Sequence, residues 1–311
     1  MAEFSIIDTY FNRQQHADVD IGVGDDSALL TPPPQHQLVI CTDTLVAGRH
    51  FPLNTSAHAI GWKSVAVNLS DIAAMGATPH SILLALSLPQ IDHDWLKAFS
   101  QGLYDCCDQF GVRLIGGDTT QSPHLTLSVT ALGWIETGKA IARSGAQVDD
   151  LVVVSGTVGD AAFGLQHLGH SLQQRLDYPT PRCELGVMLK GLASSMIDVS
   201  DGLAQDLGHI LKASNVGATL DLSLIPVDNA LKTRSDQEQW KYALAGGDDY
   251  ELCFTITMQN YQKLLQLQPN VKTTIIGKIT QQCGLTFEKD GLDHPLQLQL
   301  QLQLQGYQHF A

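Results

Sequence analysis

Six short acidic turns constrain this chain more than any other feature. They are "GDDS" (24–27), "CTDT" (41–44), "NLSD" (68–71), "GGDTT" (116–120), "DVSDG" (198–202) and "GGDDYE" (246–251). A solvated aspartate normally sits among other polar residues, but several of these follow apolar strand-like segments such as "LVIC", "RLI" and "SMI". That pattern places them at a sheet rim, where glycine, serine and threonine let the backbone approach a ligand. In "IGVGDDSALL" (21–30) the apolar neighbours suggest a strand or turn tucked against a core. A carboxylate there is costly without compensation. One such motif alone reads as a turn; six across both halves point to convergence on one acidic, metal-filled cleft. On this reading the Asp26 carboxylate is compensated by metal. Ligation by Asp, Thr and backbone carbonyl suits Mg²⁺, which keeps waters and shares substrate phosphates. Spacing typical of His and Cys metal sites is absent, which disfavours zinc.

Charge sharpens the argument. With 32 acidic and 18 basic residues the net charge is −14. Such a surface disfavours a nucleic-acid partner, yet it admits a small phosphorylated ligand if metal ions screen the repulsion. No run reaches the ~18–20 apolar residues of a membrane helix, and the N-terminus lacks a basic segment followed by an apolar one. Six cysteines without CxxC spacing read as reduced thiols of a cytoplasmic protein.

The chain of 311 residues suits about two domains. Its first half reads β-β-α-β-α-β-β after an opening helix over "SIIDTYF". Within it are a long helix over 56–77, a strand "SILLALSL", an amphipathic helix capped by Asp92 or Asp94, and a strand "VRLIGGDTT" running into a glycine turn. This order predicts an α+β layer rather than a doubly wound sheet. A polar joint over 136–150 separates a first domain, 1–137, from a second α+β domain, 138–311. The tail alternates Leu and Gln from Leu296 to Gln305. It reads as an edge strand of weakly specified register, or else as a β-assembly element.

Other phosphate devices fail on inspection. "GWIETGKA" (133–140) places Ala140 where a P-loop needs a hydroxyl for Mg²⁺. No G-x-G-x-x-G follows a strand, and no G-x-S-x-G elbow is present. Arg143, in "ARSGA", is a rare cation near the joint and a candidate nucleotide phosphate contact.

Together "GVGDDSALL", "TDTLVAGRHF", "AVNLSDIAAMGATP", "LIGGDTT", "ARSGA", "IDVSDGL", "DLGHI" and "GGDDYELCF" resemble the thiamine-monophosphate kinase family in order and spacing. The wider superfamily includes aminoimidazole-ribonucleotide and selenophosphate synthetases. The resemblance implies ATP-dependent phosphorylation of thiamine monophosphate to thiamine diphosphate. It also implies a two-domain synthetase-like fold whose N-terminal mixed sheet forms a barrel across a homodimer. Metal ligands would be Asp26, Cys41, Thr42, Asp43, Asp71, Asp118, Asp198 and Asp201, with Cys41 acting through its carbonyl. Asp71, Asp118 and Asp201 would carry the catalysis. ATP would meet Tyr104, Gly117, Asp118, Arg143 and Ser200, and the thiamine side His50, Asp248 and Tyr307. Tyr104 also lies on the apolar face of its helix, which suits a core position. Cys41 stands where the family usually has Ser or Thr, and Asp248 where it often has Glu.

A phosphate monoester is mostly ionised at pH 7 because its second pKa is ~6. The acceptor therefore needs no general base, and in-line transfer by positioning and charge neutralisation suffices. Two alternatives stay open: another ATP-dependent synthetase of the superfamily, and a non-catalytic divalent-metal-binding protein.

Overall fold

The computed structural model describes residues 2–13, 17–289 and 292–293. The chain divides into two units, one of residues 1–72 with 77–138 and one of Ala73–Gly76 with residues from 139 onward.

The first unit opens with α1 (Ala2–Ile6), which widens into a π-helical turn over Ile7–Phe11. There follow β1 (His36–Val46), α2 (Ala57–Ala74), β2 (Thr78–Leu88), α3 (His93–Phe110), β3 (Arg113–Gln121) and β4 (Thr126–Glu136). The strands form a mixed sheet in the order β1-β4-β2-β3, with β2 and β3 parallel and the other pairs antiparallel. α2 is apolar on nearly every side and accordingly buried along most of its length. α3 is amphipathic. The Asp92 side chain caps it by accepting from the N–H of Asp94 and Trp95, and left-handed Gly111 closes it. The two helices meet backbone to backbone at Gly61 and Gly102, where an added Cβ would lie 2.1 Å from the Phe99 carbonyl and 1.9 Å from that of His58.

The second unit holds a seven-stranded sheet in the order β11-β10-β7-β9-β5-β8-β6. Its strands are β5 (Leu151–Ser155), β6 (Ala193–Val199), β7 (Gly217–Asp221), β8 (Glu251–Ile256), β9 (Thr273–Thr280), β10 (Gly284–Lys289) and β11 (Leu292–Asp293). β10 runs parallel to β7 and the remaining pairs are antiparallel. α4 (Asp160–Gln166), α5 (Gln173–Asp177), α6 (Cys183–Met188), α7 (Leu203–Ser214), α8 (Asn229–Lys232), α9 (Asp236–Ala245) and α10 (Met258–Gln266) pack around it. Strand alternation divides the core into two layers. Val152, Val154, Ile197 and Cys253 face α7 and α9, while Val153, Met196, Leu252 and Phe254 face α6 and α10. Strands buried on both faces read as the unbroken apolar runs "LVVV" and "LCFTI".

The mixed sheets bear out the α+β expectation, with three corrections. The segment 21–30 is a turn, with Ile21 and Leu29 making an isolated bridge, and it is largely exposed rather than tucked against a core. Gly116 and Gly117 end no strand, since β3 runs through both to Gln121. The stretch 182–195, which reads as helical in sequence, is helical only over Cys183–Met188. The Leu-Gln tail lies outside the described residues.

Candidate active site

The first unit contains a cavity of about 540 Å³, within the range of ~300–1,000 Å³ usual for ligand sites. Gly24, Asp25 and Asp26 line one side, Gly116 to Thr119 another, and Phe4, Ile7, Asp8 and Phe11 a third. Asp26, Gly117 and Asp118 are thus brought together. Asp25 Oδ1 accepts the Asp26 N–H at 2.8 Å, tightening the turn. Both carboxylates are exposed, so the desolvation cost expected from their apolar neighbours is not incurred. Gly117 is demanded by its surroundings: its φ is +150°, and a Cβ would sit 1.9 Å from the Leu84 carbonyl of the adjacent strand.

A second group lies where α2 meets the edge strand β1. The Cys41 thiol donates to the Asn68 carbonyl at 3.3 Å, and the Asp43 N–H donates to the Asn68 side-chain oxygen at 3.0 Å. Burial, followed by the charges of Asp71 and Asp43, pushes the Cys41 thiol well above its ordinary range. A neutral thiol is a poor ligand for a hard cation, so the oxygen that Cys41 could offer is its backbone carbonyl. Thr42 faces the other side of β1, where its hydroxyl donates to the Val129 carbonyl at 3.1 Å and pairs with Thr130. His50 Nδ1 accepts the Val46 N–H at 3.0 Å. In the neutral ring that places the proton on Nε2.

The second unit gathers a third group. Asp248 N–H donates to the Ser200 carbonyl and Tyr250 N–H to the Val199 carbonyl, both at 2.8 Å. These bonds join the loop before β8 to the turn after β6, so Asp198, Ser200, Asp201 and Asp248 share one locality. The Tyr250 hydroxyl donates to Asp248 Oδ1 at 2.9 Å. Gln205 donates to Asp201 Oδ2 at 3.1 Å.

Three expected residues stand apart. Tyr104 is buried, its hydroxyl donating to the Phe11 carbonyl at 2.7 Å and its ring 3.5 Å beneath the Arg13 guanidinium. Arg143 is exposed on a loop pinned by Ser214, whose hydroxyl accepts from the N–H of Gly145 and Ala146 at 3.1 Å. Tyr307 lies outside the described residues.

Among the described residues no group of three or more His, Cys, Asp or Glu side chains is gathered closely enough to hold a metal ion. The acidic groups instead offer carboxylate oxygens together with backbone carbonyls. That donor chemistry fits Mg²⁺, which completes its shell with waters and substrate phosphates rather than an all-protein cage.

Two supporting groups had no role in the sequence reading. Asp206, in the first turn of α7, accepts the N–H of Ser200, Asp201 and Gly202. Glu251 begins β8 and is fully buried against Arg175 and Arg182. The signal for Glu251 was present: a carboxylate opening the apolar run "LCFTI" needs a cation.

Residues 24–135 match the model of the AIR synthase related protein N-terminal domain, and 147–290 that of the AIR synthase related protein C-terminal domain. Thiamine-monophosphate kinase of Escherichia coli (strain K12) is 44% identical over 326 aligned positions, covering 99% of this chain and 98% of that protein. The crystal structure of thiamine-monophosphate kinase from Stenotrophomonas maltophilia K279a superposes with a TM-score of 0.84 at 45% identity, covering 90% of this chain and 93% of the other. AaThiL complexed with AMPPCP and TMP superposes with a TM-score of 0.77 at 29% identity, covering 90% and 89%. The chain belongs to the thiamine-monophosphate kinase family.

Proposed function

We propose that this chain transfers the γ-phosphoryl group of ATP to thiamine monophosphate, giving thiamine diphosphate and ADP. The observation that carries the reading is the 44% identity to a thiamine-monophosphate kinase over nearly the whole of both chains. It is supported by the relative complexed with AMPPCP and TMP, ligands that match a nucleoside triphosphate and a thiamine phosphate.

The chemistry asks little of side chains as bases. The attacking oxygen belongs to a phosphate monoester whose second pKa is ~6, so it is already ionised at neutral pH. The difficulty is repulsion between two polyanions on a protein of net charge −14. Mg²⁺, when bound, would supply that neutralisation as a Lewis acid acting on phosphate oxygen. Asp26 and Asp118 would hold it in the cavity, Asp43 and Asp71 beside Asn68, and Asp198 at the end of β6 with Asp201 on the turn that follows. Backbone groups at Gly117 and Ser200 would orient the nucleotide, and the exposed Arg143 would meet its phosphates. His50 and Asp248 would meet the thiamine side of the substrate.

The first unit carries an apolar sheet surface suited to a second copy of this chain. Leu38 and Ile40 on β1 are 42% and 58% exposed, and they pair across the sheet with Trp134 and Leu132 of β4. This supports the homodimer. Among the described residues no helix is long and apolar enough to cross a membrane, and no disulfide joins the six cysteines.

The test is an ADP-release assay with thiamine monophosphate, thiamine, aminoimidazole precursors and selenide as acceptors. Release dependent on thiamine monophosphate alone is expected. Release with another acceptor in its place would move the chain to a different branch of the superfamily.

A further inference from the structure

The stretch Asp248-Asp249-Tyr250-Glu251 alternates in a way that a simple turn does not require. Asp248 and Tyr250 both have left-handed backbone, with φ of 69° and 51°. For a bulky residue such as Tyr250 this conformation is disfavoured and persists only where the surroundings over-determine it. The residues between and after them supply that restraint. Asp249 is buried, its carboxylate accepting the Gly159 N–H at 2.6 Å and the Ala161 N–H at 3.3 Å. Glu251 is 0% exposed. Its Oε2 accepts from Arg182 Nε at 2.7 Å and from the Ser155 hydroxyl at 2.5 Å. Its Oε1 accepts from Arg175 Nη2 at 2.7 Å and also from Arg182 Nη2.

The arginines reach beyond Glu251. Arg175 Nη2 donates to the Asp249 carbonyl at 3.4 Å, and its Nε lies 3.7 Å from Asp160 Oδ2. One guanidinium thus ties the backbone of the strained turn to two buried acids. Arg182 meets Glu251 in the forked two-bond geometry that fixes orientation as well as distance. A buried ion pair is weak evidence of stabilisation, because desolvation of both partners opposes the attraction. Four carboxylates and two arginines converging beside one strained turn therefore ask for another explanation.

We infer that Glu251, clamped by Arg175 and Arg182, is a positioning residue for the thiamine-phosphate end of the site. It acts through the backbone of Asp249 and Tyr250, holding the left-handed turn that presents the Asp248 carboxylate. The inference rests on the reading of Asp248 as a substrate contact. Strain in the turn is the cost of presenting Asp248, and the clamp opposes its relaxation.

The experiment compares Glu251→Gln, Arg182→Lys and Asp248→Ala in the full chain. The readouts are separate KM values for thiamine monophosphate and ATP, kcat, and amide hydrogen exchange at Asp248 and Tyr250. Glu251→Gln should speed exchange at both amides and raise KM for thiamine monophosphate by about tenfold, with KM for ATP nearly unchanged. Arg182→Lys, which keeps the charge and loses the fork, should shift the same quantities less and keeps the test alive if Glu251→Gln folds poorly. Unchanged exchange at both amides in both clamp variants would overturn the clamp. Equal rises in the two KM values would reduce Glu251 to a structural group and overturn the positioning role. Asp248→Ala separates the two claims. If it raises KM for thiamine monophosphate and the clamp variants do not, the positioning inference fails alone. If Asp248→Ala changes neither KM, the substrate reading fails and the inference falls with it.

Discussion

The Asp206 carboxylate, only 3% exposed, accepts the Asp201 backbone N–H at 3.0 Å. The same oxygen accepts from Ser200 at 3.0 Å and Gly202 at 3.1 Å. One buried oxygen therefore shapes the whole turn that presents Ser200 and Asp201. Asp206→Ala leaves three N–H groups without this partner, and a lost buried acceptor costs about 1–3 kcal/mol. We expect Asp206→Ala to lower the unfolding free energy by that order and to reduce turnover. Asp206→Asn, which retains an acceptor oxygen, should do less on both counts. Chemical denaturation and kcat measured side by side check the ranking, and equal losses from the two variants would contradict it.

Asp71 and Asp118 stand in two different groups, one near Cys41 and one in the cavity. Each replaced by Asn should fold normally and lose most turnover. Removing one charge from an anionic neighbourhood does not unfold a metal-free protein, since it relieves repulsion. Excess chelator should likewise abolish turnover of the unmodified protein while leaving its far-ultraviolet circular dichroism unchanged. Near-normal turnover of either variant at ordinary Mg²⁺ would remove that residue from the proposed ligands.

The acidic motifs were legible because carboxylates beside apolar segments are conspicuous in any sequence. Their surroundings were less so. "CTDT" lies within β1, "NLSD" within α2 and "GGDTT" within β3 rather than on turns. Asp26 reads as buried from its neighbours, yet Ile21 and Leu29 bridge only to each other and are 37% and 54% exposed. Apolar composition reports where residues prefer to be, and a short surface segment can override it. Gly116 and Gly117 read as a turn because glycine usually marks one, whereas here the carbonyl of Leu84 requires the missing Cβ at Gly117. The capping box of α9, Ser235 with Glu238, was present in the sequence as a local signal. Glu251 and its arginines were not legible as a unit, since Arg175 and Arg182 lie 76 and 69 positions away in the chain. Only the fold makes that pairing local.

Asp249 predicts a pH dependence of stability. Burial raises its carboxyl well above the ordinary value, Asp160 adds to the rise, and the N–H groups of Gly159 and Ala161 with Arg175 oppose it. The folded state thus binds this proton more tightly than the unfolded chain. Where the unfolded chain has lost it and the folded state retains it, stability falls as pH rises. The loss begins near the ordinary aspartate value of about 4 and is complete once the raised value is passed. Asp249→Asn should flatten this part of the profile, so that its melting temperature falls less between pH 5 and pH 8 than that of the unmodified chain. An identical slope in the two proteins would contradict the assignment.

The last prediction concerns the sheet surface of the first unit. β1 is an edge strand, and its outward row continues into β4 through the pairs Leu38 with Trp134 and Ile40 with Leu132. Threonine and serine extend the row, with Thr42 opposite Thr130 and Thr44 bonded to Ser128 at 2.7 Å. An exposed apolar row of this kind is a liability in a monomer and an asset in a symmetric pair. Burying apolar surface contributes roughly 25 cal/mol per Å², so Ile40 at the centre of the row would contribute strongly to self-association. Replacing it by Asp puts one carboxylate on each side of a two-fold contact, adding repulsion to lost burial. Sedimentation velocity at micromolar concentration should show a dimer for the unmodified chain and a monomer for Ile40→Asp. Because Ile40 is 58% exposed in the single chain, the substitution should leave circular dichroism unchanged. A variant that remains dimeric would place the interface elsewhere on the molecule, and a concentration-independent monomer in the unmodified chain would remove the dimer altogether.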